Sequence, residues 1–146
     1  MKSNILVLSS LLLLLASSCG EEFDEINDEQ FVGQWELTGR SAFNGMVIQI
    51  DKKGGRLTGQ IVELNDNKYI QMFSEVGDLW VADISRRSNY QFSLTEKKIA
   101  SQLFSMYGMS TSTKFAVEFI DKNSFGLASS GSDPLRSEIV YKRKTD

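Results

Sequence analysis

The chain has 146 residues, 41% of them hydrophobic and 24% charged, with 16 Lys and Arg against 19 Asp and Glu, one cysteine, one proline and no histidine. That length suits one domain; the absence of histidine removes the commonest general base and metal ligand, and a single thiol leaves no internal disulfide. Setting aside Lys2 and the six acids of residues 21–29 leaves 15 bases against 13 acids, so no basic stripe is left to neutralise phosphates and nucleic acid is not an expected partner.

Residues 1–18 read as a signal peptide. Lys2 gives the positive start, Ile5 to Ala16 give an apolar run broken by Ser9 and Ser10, and Ala16, Ser17 and Ser18 give the small residues before a cleavage point. The run is about 12 residues, against the roughly 20 that a membrane-spanning helix requires. Leu15-Ala16-Ser17-Ser18-Cys19 resembles a bacterial lipobox, although its aliphatic residue stands four places before the cysteine rather than three. The resemblance implies that Cys19 becomes the first mature residue and carries a lipid, making the membrane a partner; ordinary cleavage and plain secretion is the other reading. Two or three acyl chains on one residue hold a protein firmly where a single chain does not.

Residues 19–30 read as an acidic tether, with EEFDEINDE carrying six carboxylates and no base, a composition that repels itself and stays solvated. Its start, Gly20-Glu21-Glu22, resembles the acidic signal that sends some Bacteroidota lipoproteins to the cell surface. Together the resemblances imply an outer-membrane lipoprotein of a bacterial cell envelope, on its periplasmic or surface face.

From Phe31 the apolar spacing turns to two. Phe31, Gly33, Trp35 and Leu37 share one face; so do Met46, Ile48 and Ile50; then Tyr90, Phe92 and Leu94; then Phe115, Val117 and Phe119; then Ile139, Tyr141 and the stem of Arg143. Turn residues separate these runs at 51–55, 65–67, 77–78, 87–89 and 121–123, so neighbours in sequence should pair as antiparallel hairpins. Residues 94–108 fit either a strand or a helix, with Ile99, Leu103 and Met106 at helical spacing, and the polar stretch 108–113 reads as a loop. The expected domain, 31–146, is all-β: a single antiparallel meander of about eight to ten strands. Closure removes its unpaired edges, which favours a β-barrel over a two-sheet sandwich.

Gly33-Gln34-Trp35 on the first strand and SEIVYKRK near the end resemble the G-x-W motif and the arginine-bearing last strand of lipocalins and lipocalin-like bacterial proteins. The resemblance implies that Trp35 packs across the closed end of the barrel with Arg143 over its ring, a structural role. Geometry supports the pairing independently: Trp35 lies early in the first strand and Arg143 late in the last, so antiparallel neighbours bring them to one end. The chain is shorter than vertebrate lipocalins and has no disulfide or clear C-terminal helix, so transport does not carry over.

No catalytic constellation appears, no cofactor or metal site is expected, and the chain does not read as an enzyme. Glu63 with Asp66, and Asp83 with Glu118, can be nominated as carboxylate pairs but fit solvated strand and turn positions; Gly131-Ser132-Asp133 fits a turn. What remains is apolar surface. Trp80, Tyr90, Phe92, Phe115 and Phe119 converge on the middle of the meander, where they either fill the core or line a pocket for a small apolar ligand. Arg86 or Arg87 could meet an acidic head group. The expected function is therefore ligand binding by a lipid-anchored lipocalin-like barrel, with a protein-binding adaptor or inhibitor, solid inside and working through a loop such as 104–113, as the alternative.

Overall fold

The computed structural model describes residues 25–145; the signal peptide, Cys19 and the first part of the tether lie outside the described residues. Eight strands follow one another: β1 (Gly33–Thr38), β2 (Val47–Lys53), β3 (Arg56–Glu63), β4 (Leu79–Arg86), β5 (Gln91–Lys97), β6 (Ser112–Asp121), β7 (Ser124–Ala128) and β8 (Val140–Arg143). Two short helices lie in the connections, α1 (Lys68–Phe73) and α2 (Ser101–Met106). Each strand pairs antiparallel with the next, and β8 returns to β1, giving a closed barrel with no free edge. The fold is the closed antiparallel meander that the two-residue periodicity implies.

Closure rests on four register pairs, Trp35 with Arg143, Glu36 with Lys142, Leu37 with Tyr141 and Thr38 with Val140. Thr38 Oγ1 adds a bond to the Val140 carbonyl at 3.1 Å. The inward set follows the alternation: Trp35, Leu37, Ile48, Ile50, Ile61, Phe92, Leu94, Val117, Phe125, Leu127 and Tyr141 are all at most 1% exposed. With eight strands the interior is just wide enough for such side chains to fill.

The two ends differ. One carries tight turns after β2, β4 and β6, the first a Gly54-Gly55 pair with φ of 58° and 79°, the positive angles that a two-residue hairpin of this hand needs. The other carries the long connections 39–46, 64–78, 98–111 and 129–139, including both helices. The undecided segment after residue 94 resolves into both readings in turn. Strand β5 continues to Lys97 and a helix starts at Ser101, the break falling at Ala100, which has the left-handed φ of 56°.

The tight-turn end is plugged by the residues expected to be the last part of the tether. Asp28–Phe31 form a single 3₁₀ turn, capped by Asn27 Oδ1 accepting from the Glu29 amide at 3.0 Å. Residues 25–30 stay largely exposed but lie against the barrel end, where their acids find bases: Arg86 pairs with Glu25 at 3.4 Å and Asp28 at 2.7 Å, and Lys52 with Glu29 at 3.1 Å. The Ile26 amide also bonds the Asn89 carbonyl at 3.0 Å. Phe31 then enters the barrel fully buried, its ring 4.8 Å from Phe92, 4.7 Å from Phe119 and 5.3 Å from Phe125. Phe31→Ala should lower the unfolding free energy by about 3–5 kcal/mol, the usual cost of emptying an aromatic site, as measured by urea denaturation. A loss below about 1 kcal/mol would show that Phe31 is not seated in the core.

Candidate functional site

At the plugged end the G-x-W residues and the last strand meet. The Arg143 guanidinium lies over the Trp35 indole, 4.2 Å from the ring centroid, and donates to the carbonyls of Val32 at 3.0 Å and Gln30 at 2.6 Å. Trp35 Nε1 donates to the Phe31 carbonyl at 2.7 Å, which satisfies the one polar atom of a fully buried ring. Gly33 explains its own place in the motif. Its φ is 131°, and a Cβ there would stand 2.7 Å from Arg143 Nη1. The glycine thus leaves room for the guanidinium to cross the strand and reach the ring.

The five rings considered for ligand binding separate into three groups. Phe92 and Phe119 belong to the packed aromatic cluster around Phe31, where Trp35 and Phe125 are 4.7 Å apart and Phe119 and Phe125 are 5.5 Å apart; they occupy the space rather than line it. Tyr90 is 55% exposed on the turn between β4 and β5. Only Phe115 and Trp80 lie toward the other end, and Trp80 alone borders open space. Arg86 is committed to Glu25, Asp28 and the Ile26 carbonyl and stacks 4.8 Å over Phe92, so it braces the plug; Arg87 follows it in the turn.

Toward the long-loop end the interior is closed by a polar chain. The Trp80 indole donates to the Tyr141 hydroxyl at 2.8 Å, that hydroxyl donates to Glu96 Oε1 at 2.6 Å, and Arg40 Nη1 donates to Glu96 Oε2 at 2.5 Å. Glu96 is 2% exposed and Tyr141 fully buried, and among the described residues no buried side-chain nitrogen or oxygen lacks a partner. Arg40 comes from the loop after β1, with its guanidinium 4.6 Å from the Phe43 ring centroid and 5.7 Å from that of Phe115. Arginine suits this position because its planar head can stack on rings while its edge bonds a carboxylate. Burial, then the charge of Glu96 and the bond to it, hold the Tyr141 hydroxyl well above the usual tyrosine range.

Above this chain lies the mouth. A groove of about 610 Å³ runs between the connections that carry α1 and α2, walled by Ile61, Phe73, Leu79, Trp80, Ile99 and Leu103 and edged by Asp78, Lys97 and Lys98. A smaller recess of about 170 Å³ adjoins it, over Arg40 and Glu96. Helix α1 is held in place by its N-cap: Asn67 Oδ1 accepts from the Tyr69 amide at 2.9 Å, and Gln71 Nε2 donates back to the Asn65 carbonyl at 2.8 Å.

The nominated carboxylates sit on strands and in a turn. Asp83 on β4 and Glu118 on β6 have β5 between them, facing Thr95 and Gln91 respectively, and Glu63 pairs with Lys144. Asp133 caps a 3₁₀ turn by accepting from the Leu135 amide at 3.0 Å, a turn role for Gly131-Ser132-Asp133. Among the described residues no three carboxylates gather as a metal site. No protein-family model, curated protein or solved structure matches this chain.

Sequence reasoning passed over Arg40 and Glu96. Glu96 has the same parity as inward Phe92 and Leu94, which was the available signal; Arg40 sits in a loop with no periodicity to read.

Two outcomes follow from these contacts. Gly33→Ala forces a left-handed residue to carry a Cβ and displaces the guanidinium, a loss of about 1–3 kcal/mol in chemical denaturation, together with a shift of indole emission; unchanged emission would mean that the stack survives. For Tyr141, the unfolded chain ionises near the ordinary pKa while the folded chain keeps the phenol neutral. Its contribution is therefore complete below about pH 10 and declines above it, by up to about 1.4 kcal/mol per pH unit. The difference in stability between the wild type and Tyr141→Phe should narrow with that slope above pH 10; a difference independent of pH would contradict the burial of the phenol.

Proposed function

We propose that this chain is a lipid-anchored lipoprotein of the bacterial envelope, lipocalin-like in architecture, that binds a small apolar or amphipathic molecule at the barrel mouth. One observation carries the ligand reading: the roughly 610 Å³ groove walled by Ile61, Phe73, Leu79, Trp80, Ile99 and Leu103. Its size falls within the ~300–1,000 Å³ of small-molecule sites, and it joins an apolar wall to a few polar groups in the way such sites do. The barrel supplies a rigid floor, and the ligand sits above the packed interior rather than inside it.

The anchor fits this arrangement. Glu25 lies at the plugged end, against Arg86. With the acyl chains on Cys19, the six residues from there to Glu25 reach at most about 20 Å. The plugged end then faces the membrane and the mouth faces the aqueous space beyond it. Trp35, Arg143 and Gly33 serve stability in this reading, and binding belongs to the other end.

A second reading has its own observation. Tyr107 and Met109 on the connection after β5 are 75% and 54% exposed, and Tyr69 and Met72 on α1 are 75% and 69% exposed, all outside the groove lining. Exposed methionine and tyrosine on loops suit an adaptor or inhibitor that docks on a protein.

Native mass spectrometry of the protein taken from its own membrane should show an acyl mass on Cys19 and a co-purifying small molecule. An unmodified N-terminal cysteine would overturn the anchor. Leu103 is half exposed and borders the groove, whereas Tyr107 does not border it. Leu103→Glu should therefore weaken retention of the small molecule by about tenfold or more, by placing a carboxylate against apolar contacts, with little change in stability. Tyr107→Ser should leave retention unchanged. The reverse pattern, with Tyr107→Ser abolishing capture of a protein partner and Leu103→Glu silent, would favour the adaptor.

A further inference from the structure

The groove and the smaller recess share Trp80, Lys97, Lys98 and Ile99, so an elongated molecule can occupy both. Both mix apolar and polar lining, and what the recess adds is Arg40 and the carboxylate of Glu96 beside the shared Lys97 and Lys98.

That carboxylate is already engaged through both oxygens. Tyr141 donates to one oxygen and Arg40 to the other, and it is 2% exposed. Arg40 is not saturated: its guanidinium has five N–H donors, and its bond to Glu96 uses one of them. The Phe43 and Phe115 rings fix its plane, and a quarter of its side chain is exposed at the recess. Lys97 and Lys98 form no ion pair among the described residues, and Lys98 Nζ stands 5.5 Å from the Phe104 ring centroid, on the recess wall. The one other carboxylate at the site, Asp78 on the groove edge, accepts from the Glu75 amide at 2.9 Å and closes a turn.

Resting on the mouth as the ligand site, the geometry points to an anionic amphiphile. Arg40, Lys97 and Lys98 take its carboxylate or phosphate head, and the wall of Ile61, Phe73, Leu79 and Leu103 takes its chain. A pre-oriented guanidinium with spare donors favours an anion because charge-assisted bonds are the strong ones, and partial shielding by the surrounding rings reduces competition from water. A neutral head of the same size would leave those donors facing nothing better than water. A cationic head would meet three like charges.

The test uses the full-length chain with Cys19→Ser, so that no acyl group of its own competes. Hexadecanoate, hexadecyl phosphate, hexadecanol and hexadecylamine are titrated below their micelle concentrations, followed by indole emission and calorimetry. The two anions should bind roughly tenfold to a hundredfold more tightly than the alcohol, and the order between them tells carboxylate from phosphate. The Lys97→Gln/Lys98→Gln double variant should remove most of that preference, the two anions losing several-fold more affinity than the alcohol. Equal binding of alcohol and anions, tighter binding of the amine, or a preference that survives the double variant would overturn the anion assignment while leaving the groove as a ligand site. Binding of none of the four would overturn both.

Discussion

The pairing of β1 with β8 is the constraint on which the rest depends. Four register pairs close the sheet, and with them every strand gains a neighbour on both sides. Without that seam the meander would be a curled sheet with two free edges and a half-solvated inner face. Because the seam brings Trp35 opposite Arg143, it also builds the stack that seals the plugged end, and because it brings Leu37 opposite Tyr141, it delivers the phenol to Trp80 and Glu96. One seam therefore organises both ends of the barrel.

The two ends then do different things with similar side chains. At the plugged end, rings meet rings: Phe31, Trp35, Phe92, Phe119 and Phe125 stand at centroid separations between 4.7 and 6.2 Å and exclude water. Toward the mouth, an indole, a phenol, a carboxylate and a guanidinium form one hydrogen-bonded chain, with no fully buried side-chain nitrogen or oxygen left unpaired among the described residues. Satisfied polar networks in a core fix a single geometry, whereas apolar fillers alone tolerate several. The consequence is a firm floor beneath the groove, with Trp80 belonging to both floor and groove.

Much of this was legible in the residues. A period of two has one structural meaning, and turn residues between the runs favour antiparallel neighbours, so the meander and the inward faces of β1, β2, β5, β6 and β8 could be read directly, whereas the long connections and the helix α1 within one of them could not. The segment after residue 94 could not, because Ile99 and Leu103 satisfy both periods and the break at Ala100 depends on a left-handed backbone that alanine does not announce. The fate of residues 25–30 was hidden for an electrostatic reason. A run of acids repels itself only until bases stand nearby, and Arg86 and Lys52 come from strands far along the chain. The groove was hidden because its wall joins Ile61, Leu79 and Trp80 of the strands to Phe73, Ile99 and Leu103 of the long connections, whose placement no period announces, and parity assigns rings such as Phe92 to the interior without saying whether the interior is full.

The barrel is packed through its middle, which leaves a ligand only the space above it. Isotope-edited NMR of methyl-labelled protein with bound hexadecanoate measures this most directly. Contacts from the chain of the ligand to the methyl groups of Ile61, Ile99 and Leu103, with none to Leu94, Val117 or Leu127, are what the account predicts. Contacts to those three interior residues would mean that the barrel opens to admit its guest, and would contradict it.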